Sequence, residues 1–393
     1  MIRRTALLLV LLAVVPASPA RAQSLFNAAG LGMPSDPLDA RTRALGGVGI
    51  GLRGPLALGS DPAAAADFLL PSATLTAQPT WVDFERRDNA ESGDFRGTKF
   101  PTLSIAYPTV RGLVVTLGLD SFLDQRYESS ASSTISFGEG DDVVVDDQFV
   151  SKGGVSQVRL GLARRFGPNL AVGVSAARYG GSLTRRLVRT FVSGVDATQV
   201  SDYQDGGFWS YSGAALSGGA AVTLGSVAYV SASVAWSSSL DATASDDTAG
   251  ESRAYDLPLQ VRLGATAVIA PGLSVSGGLT RADWSSLDGA LAGGKSGGAT
   301  TSYGLGVELT RARLLGRSAP LRLGYRKTDL PFALGTGTPT ETVWAGGFGL
   351  NLSQAGDVVR AAVDLAFERG ERSDSVLSER FRRATLTVRV AGF

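Results

Sequence analysis

Residues 257–269, LPLQVRLGATAVI, alternate between apolar side chains and polar or small ones at almost every position. Successive side chains of a β-strand point to opposite faces, so this stretch is predicted to form a strand with one apolar and one wet face. The charged Arg262 stands between Val261 and Leu263 and argues against burial on both faces. The apolar face is predicted to carry Leu257, Leu259, Val261, Leu263, Ala265, Ala267 and Ile269.

The same alternation recurs along most of the chain, for example over residues 113–120, 157–163, 303–310, 321–326 and 359–368. The polar phase is rich in glycine and charge, whereas a soluble β-sandwich would have an apolar core on that side. Short connections also alternate with longer polar ones, as in membrane barrels with short periplasmic turns and long external loops. We therefore predict an all-β fold, a transmembrane antiparallel β-barrel of about 14 strands. The predicted strands cover 72–86, 97–108, 112–128, 147–166, 170–191, 208–224, 227–242, 254–269, 273–284, 298–314, 319–328, 340–352, 357–370 and 381–393.

The chain before the first predicted strand divides into two parts. Two arginines precede an apolar run over residues 6–15, and Ala20-Arg21-Ala22 follows as a cleavage signal, which is the order of a secretory signal peptide. The run is shorter than the ~20 residues that a membrane helix needs. We predict a signal peptide over 1–22, a hatch or plug rich in glycine, alanine and proline over 23–71, and the barrel over 72–393.

The composition argues against several classes of function. The chain has no cysteine and no histidine, and its 37 basic and 36 acidic side chains nearly cancel. Disulfides, thiol chemistry and histidine-based proton transfer are therefore excluded, and no nucleic-acid partner is indicated. We expect no enzymatic activity, no catalytic residue, no metal site and no cofactor. The glycines of residues 49–54 match a G-x-G-x-x-G string but lack the strand and helix of a dinucleotide site.

An acidic stretch in one predicted external loop leaves calcium as an alternative to a solvated loop, since calcium prefers several oxygen ligands. Its members are Asp141, Asp142, Asp146 and Asp147, and their spacing is not that of a calcium loop.

The segment before the barrel resembles the N-terminal region of FadL-like outer-membrane transporters and their PorV-like relatives. The resemblance lies in Ala40-Arg41, in Leu45-Gly46-Gly47, and in the motif Asp61-Pro62-Ala63, where the family has Asn-Pro-Ala. It implies a fourteen-stranded barrel closed by an N-terminal hatch in the bacterial outer membrane. It also implies passive uptake of a hydrophobic small molecule of the fatty acid or hydrocarbon type. The alternatives are a PorV-like docking or shuttle partner in protein secretion, and a pore for polar solutes.

The candidate site residues fall into three groups. The hatch motif is Asp61, Pro62 and Ala63, and a candidate ligand pocket is Phe68, Leu69 and Leu70. The third group is the set of charges predicted to face the lumen: Arg159, Arg262, Glu308, Arg322, Arg326, Arg360, Asp364 and Glu368. The expected partners are outer-membrane lipid and lipopolysaccharide, a hydrophobic ligand and the barrel insertion machinery, and the protein is expected to be a monomer.

Overall fold

The computed structural model describes residues 24–392, apart from 89–90, 137–141, 194–202, 249, 288–289, 292–297, 315 and 356–357. The predicted signal peptide over 1–22 lies outside these residues. Among them, no helix is long and apolar enough to cross a membrane.

Fourteen antiparallel strands form a closed barrel, which confirms the predicted fold class. Each strand pairs with the next along the chain, and the last pairs with the first from Ser72↔Ala391 to Arg86↔Leu377. This closure pairs every strand with a neighbour on both sides over part of its length, so most backbone polar groups of the strands can be paired within a membrane. The strands are β1 Ser72–Arg86, β2 Ser92–Lys99 and Thr102–Pro108, β3 Leu113–Asp124 and Tyr127–Ser136, β4 Asp142–Phe166, β5 Leu170–Ser193, β6 Tyr203–Leu224, β7 Ala228–Ser237 and Ser239–Ala244, β8 Arg253–Asp256 and Gln260–Ala270, β9 Leu273–Asp283, β10 Ala299–Leu309, β11 Leu321–Asp329, β12 Thr340–Ala355, β13 Val358–Ser373 and β14 Leu377–Ala391.

Several strands are longer than predicted at the end with the long connections. Residues 129–146 were predicted as a loop, but β3 continues to Ser136 and β4 starts at Asp142. The serine-rich composition resembles a loop, yet the ladder from Tyr127↔Ser151 to Ser136↔Asp142 pairs its backbone. The sequence pattern missed these extensions because backbone pairing does not need an alternating apolar face.

The two faces of β8 follow the predicted alternation. Leu259, Val261, Leu263 and Ile269 are 41–64% exposed on the outside, whereas Thr266 is only 4% exposed on the inside. Leu257 departs from the prediction, since it is 8% exposed and packs into an interior cluster with Trp284 and Leu287. It precedes the segment Gln260–Ala270, where the strand is interrupted, so the period of two does not extend to it.

Residues 24–71, called the N-terminal segment below, lie in the lumen. The segment contains a 3-10 turn at Leu25–Ala28, a two-residue strand Met33–Pro34, the helix α1 Ala40–Ala44 and a 3-10 helix Pro62–Asp67. Asp39 caps α1 by accepting a hydrogen bond of 2.8 Å from the Thr42 amide. The Ala40 amide donates to Thr387 of β14, and Thr266 of β8 donates to the Gly51 carbonyl, so the segment contacts distant parts of the wall.

Glycines on the inner face of the wall let the N-terminal segment approach closely. A Cβ atom at Gly324 of β11 would lie 2.0 Å from the Gly46 nitrogen, and one at Gly264 of β8 would lie 2.2 Å from the Ile50 oxygen. A Cβ atom at Gly173 of β5 would likewise lie 2.2 Å from the Pro62 oxygen. The glycine content of the inward phase therefore reflects backbone-to-backbone packing.

Candidate functional site

The motif Asp61-Pro62-Ala63 holds the N-terminal segment against the wall. Asp61 is fully buried and accepts hydrogen bonds from the Gly51 amide at 3.0 Å and from the Ser231 hydroxyl at 2.9 Å. Pro62 begins the 3-10 helix, and Ala63 packs against Ala171 and Ala221 of the wall, among other residues. Burial raises the pKa of the Asp61 carboxyl, although the two hydrogen bonds oppose this rise.

One chain of buried ion pairs joins α1 to the wall. The Arg41 guanidinium lies 2.8 Å from Glu308 of β10, and Arg322 of β11 contacts Glu308 at 2.7 Å and Asp364 of β13 at 2.6 Å. Glu308 therefore bridges two guanidinium groups. This geometry fixes α1 relative to inward-facing side chains of β10, β11 and β13.

A second set of ion pairs continues toward the long connections. Glu341 of β12 accepts from Arg326 at 2.6 Å and from Arg372 at 2.5 Å, and Arg372 also contacts Glu379 at 3.2 Å. Glu379 in turn accepts from the Ser24 hydroxyl and the Leu25 amide, each at 2.7 Å. Ser24 and Leu25, the first described residues of the chain, are thereby anchored at the end of this network nearest the long connections.

Glu368 of β13 lies at the centre of the same cluster. It contacts Arg383 at 3.4 Å, Arg326 at 3.6 Å and Arg43 of α1 at 3.9 Å. Each of the two networks thus includes an arginine of α1. Sequence reasoning missed these contacts, because spacing along the chain gives no indication of a contact between residues 43 and 368.

The remaining predicted lumen charges have three different environments. Arg159 of β4 pairs with Asp120 at 3.0 Å and donates to the Ala57 carbonyl at 2.9 Å. Arg262 donates to Gln260 and has no ion pair among the described residues. Arg360 shares the inward phase of Ala362 and Asp364 but is exposed near the short turns of the barrel.

A cavity of about 250 Å³ lies in the lumen beside the N-terminal segment. Phe122, Tyr179 and Trp284 line one part of it, with the rings of Phe122 and Tyr179 4.4 Å apart between centroids. Another part is lined by charged side chains: Arg43, Arg326, Glu341, Arg372 and Arg383. The cavity therefore offers aromatic surface and positive charge within one space.

Phe68, Leu69 and Leu70 do not line this cavity. Phe68 is 5% exposed and packs against Ala106 and Val114 of the wall, while Leu69 is 75% exposed. The structure therefore places the three residues apart from the cavity, and their contact with a ligand stays a prediction.

The barrel wall is discontinuous next to the cavity. The segment Ser92–Lys99 of β2 pairs with β1, and the segment Tyr127–Ser136 of β3 pairs with β4, but no ladder joins these two segments. At the edge of this gap nearer the short turns, Met33–Pro34 pairs with Leu123 and Asp124. The cavity lining includes Met33, Lys99, Pro101 and Phe122, so the cavity extends to the gap.

Local sequence features contribute to the gap. Pro101 separates the two segments of β2, and proline lacks the amide that a ladder requires. Residues 125–126 separate the segments of β3, where Gln125 donates to the Gly153 carbonyl at 3.3 Å. A proline within a predicted strand was therefore the signal available in the sequence.

The acidic loop is described only in part. Asp141 lies outside the described residues, as does the side chain of Asp142. Asp147 pairs with Arg189 at 2.6 Å, and Asp146 accepts a hydrogen bond from Ser132 at 2.5 Å. Asp147 is therefore already paired with a cation, and calcium binding by this loop stays a prediction.

Solved structures with the same fold are channels and transporters. A FadL homologue from Pseudomonas aeruginosa is 12% identical, with a TM-score of 0.65 over 93% of this chain and 100% of that one. The toluene transporter TbuX of Ralstonia pickettii is 14% identical, with a TM-score of 0.57 over 91% and 98%. The toluene transporter TodX of Pseudomonas putida is 14% identical, with a TM-score of 0.57 over 93% and 100%. The resemblance to FadL-like transporters is thus confirmed for the fold.

Comparison with curated proteins gives no match. A family model does match the sequence: BamG, over residues 1–291 of the 393. Because this match covers well over half of the chain, the protein belongs to the BamG family.

Proposed function

We propose that the protein is an outer-membrane channel for passive uptake of hydrophobic small molecules of the fatty acid or hydrocarbon type. The observation that carries this proposal is the gap between β2 and β3, because the lumen cavity extends to it. A ligand that enters the cavity from outside would leave sideways through the wall, into the apolar phase of the membrane. An open path to water is not needed for such a ligand.

The chemistry of the cavity supports this class of ligand. Binding sites for small molecules are mostly apolar, with a few polar groups that fix orientation. Phe122, Tyr179 and Trp284 offer aromatic surface to a hydrocarbon. Arg262, which lines the cavity and forms no ion pair among the described residues, suits the carboxylate of a fatty acid.

The likeness to the two toluene transporters supports the same class, because their barrels and this one share their overall fold. The N-terminal segment adds a second argument. Its residues Leu45, Val48 and Leu52 form a buried cluster, which we expect to obstruct a straight aqueous route.

The two alternatives have less support. A pore for polar solutes would need free charges along an open lumen, but Arg322, Arg326 and Glu368 are engaged in ion pairs among the described residues. Docking of a secreted protein, as in PorV-like barrels, is not favoured by any contact in the part of the chain that the structure describes.

The proposal is tested by filling the cavity at the gap. Ser121→Trp places a large ring in the cavity lining beside Phe122. Ala265→Trp adds the same ring on the exposed outer face of β8 and serves as the matched control. Uptake of radiolabelled toluene and of a radiolabelled long-chain fatty acid is measured in cells that lack other uptake channels for them.

Cells with the unaltered protein and with the Ala265→Trp control should take up at least one of the two ligands faster than cells without the protein. Ser121→Trp should return uptake to that background while the barrel still folds, as judged by heat-dependent gel mobility. Uptake at background with the unaltered protein, or full uptake with Ser121→Trp, would reject the proposal.

A further inference from the structure

Three arginines lie in one row on the outer surface of the barrel. In the strand register, Arg96 of β2 is opposite Trp81 of β1, and Trp81 is opposite Arg382 of β14. Arg382 is in turn opposite Arg369 of β13, and Arg369 is opposite Trp344 of β12. We call these five residues the arginine row, which consists of three guanidinium groups and two indole rings on five neighbouring strands.

The side chains of the arginine row point outward. Their neighbours along each strand are in the interior, for example Val82, Phe381 and Glu368, which are at most 4% exposed. The side chains of Arg96 and Arg382 are 75% and 69% exposed, and Trp344 is 69% exposed. The row therefore faces the surroundings of the barrel and not the ion pairs of the lumen.

The row lies at the outer boundary of the apolar band. Trp81 is nine residues beyond Ser72, the start of β1, which is roughly 23 Å of height at ~3.3 Å per residue and ~40° of tilt. The apolar band of such barrels is about 25 Å tall. Phe367 lies two residues nearer the short turns than Arg369 and is 58% exposed, and Leu323 of β11 lies two residues nearer them than Tyr325, the partner of Trp344, and is 69% exposed. Tryptophan rings are typical of this boundary.

The charges of the row are poorly compensated by the protein. Like charges that lie directly opposite on paired strands destabilise a sheet, and Arg369 faces Arg382 in this way. The guanidinium group of Arg369 forms no hydrogen bond or ion pair among the described residues. Arg382 and Arg96 have only exposed contacts, with Asp83 at 3.5 Å and Asp94 at 3.6 Å. Asp83 and Asp94 each lie two residues further along their strands, on the side away from the apolar band.

We propose that the arginine row binds the phosphorylated head group of an outer-leaflet lipid of the lipopolysaccharide type. Guanidinium groups bind phosphate through two parallel hydrogen bonds, and such bonds are stronger near an apolar phase. Arg369 and Arg382 lie on adjacent strands, while Arg96 is two strands from Arg382, about 10 Å away. This spacing suits a head group with two separated phosphates, whose acyl chains would lie along Phe367 and Leu323.

The proposal rests on the outer-membrane placement proposed above, but it does not depend on uptake. The test compares purified full-length barrels in detergent, with bound lipid counted by native mass spectrometry. The first variant combines R96Q, R369Q and R382Q. The matched control combines R111Q, R164Q and R311Q, which removes three exposed arginines at the opposite end of the barrel. The probes are lipid A with two phosphates, lipid A without phosphates, and inorganic phosphate as competitor.

The unaltered protein and the control should bind the bisphosphorylated lipid equally. The arginine-row variant should bind it at least about tenfold more weakly, as weakly as the unaltered protein binds the dephosphorylated lipid. Equal binding by the variant and the unaltered protein overturns the proposal. Displacement of the lipid by inorganic phosphate at equal concentration would also overturn it, because the row would then be a site for small anions.

Uptake measured on the same variants separates this proposal from the function proposed above. Loss of lipid binding with normal uptake supports the arginine row as a lipid site. Retained lipid binding in a barrel without uptake would reject the channel function and leave the lipid site intact.

Discussion

Asp61 is a buried carboxylate without a cationic partner among the described residues, at a position where FadL-like proteins have asparagine. Its two carboxylate oxygens accept hydrogen bonds from the Gly51 amide and the Ser231 hydroxyl. A neutral side chain at this position is buried at a lower desolvation cost than a carboxylate. It can also keep both contacts, because the Ser231 hydroxyl has a second acceptor in the Ala220 carbonyl at 3.3 Å. We therefore expect the stability of the seated N-terminal segment to depend on the protonation of Asp61.

Asp61→Asn should remove this pH dependence. The folded-state pKa of Asp61 is raised by burial, so protonation stabilises the seated segment. That stabilisation is complete below the pKa of an unfolded aspartate, about 3.9, and is lost as the pH rises through the folded-state value. Protease protection of residues 24–71 in the unaltered protein should thus increase from about pH 7.5 to about pH 4.5. Protection in Asp61→Asn should change much less, and an equal pH dependence in both proteins would contradict the role of Asp61.

Glu308, unlike Asp61, has cationic partners, since it lies between two guanidinium groups. Glu308→Gln would leave Arg41 and Arg322 without this carboxylate in the lumen. Removing one partner of a buried ion pair costs about 3–5 kcal/mol of the free energy of unfolding, which urea titration of the barrel in lipid vesicles measures.

The matched control for Glu308→Gln is Arg86→Gln, which breaks the exposed pair of Arg86 with Asp88. Exposed pairs contribute about 0–1 kcal/mol, so this variant should unfold almost as the unaltered protein does. Similar losses in both variants would show that the lumen network does not behave as a buried one.

At the scale of the strand, Leu263 of β8 and Gln157 of β4 allow a comparison of the substitutions that the outer and inner faces tolerate. Leu263 is 50% exposed on the outer face, whereas Gln157 of β4 lines the cavity next to the inward-facing Asp120 of β3. Leu263→Arg should lower the free energy of unfolding by about 2–4 kcal/mol, because a charge near mid-membrane loses its hydration. Gln157→Arg places the same side chain in a polar cavity and should cost much less. Equal costs in vesicle unfolding experiments would reverse the assignment of the faces.

At the scale of the whole molecule, we expect the barrel wall to fold independently of the N-terminal segment. Most of the backbone hydrogen bonds of the strands are formed with neighbouring strands, so the barrel should fold without residues 25–66. Because those residues lie inside the barrel, we expect their deletion to raise ion conductance in planar bilayers well above that of the intact protein. Gel mobility before and after heating checks that the deleted form still folds. A large steady conductance of the intact protein would show that the segment does not obstruct the lumen.

The sequence by itself determined the fold class, the faces of most strands and the distinct character of residues 23–71. These follow from local rules: a period of two for a strand between lipid and lumen, and glycine and proline where a strand cannot form. Pro101 was an available signal for the interruption of β2, but the predicted strand over 97–108 ran through it, and the consequence for the wall was not predictable from sequence alone.

Only the tertiary structure decided which charges meet and where the cavity lies. Arg43 and Glu368, or Ser24 and Glu379, are more than 300 residues apart, and closure of the barrel brings them together. The cavity lies beside Phe122 and Trp284 and not beside Phe68, because the N-terminal segment turns Phe68 into the wall. The arginine row likewise depends on the register between strands from opposite ends of the chain. Alternation fixes which face a side chain is on, but the hydrogen-bonded register fixes its neighbours, and register in a closed barrel is a property of all the strands together.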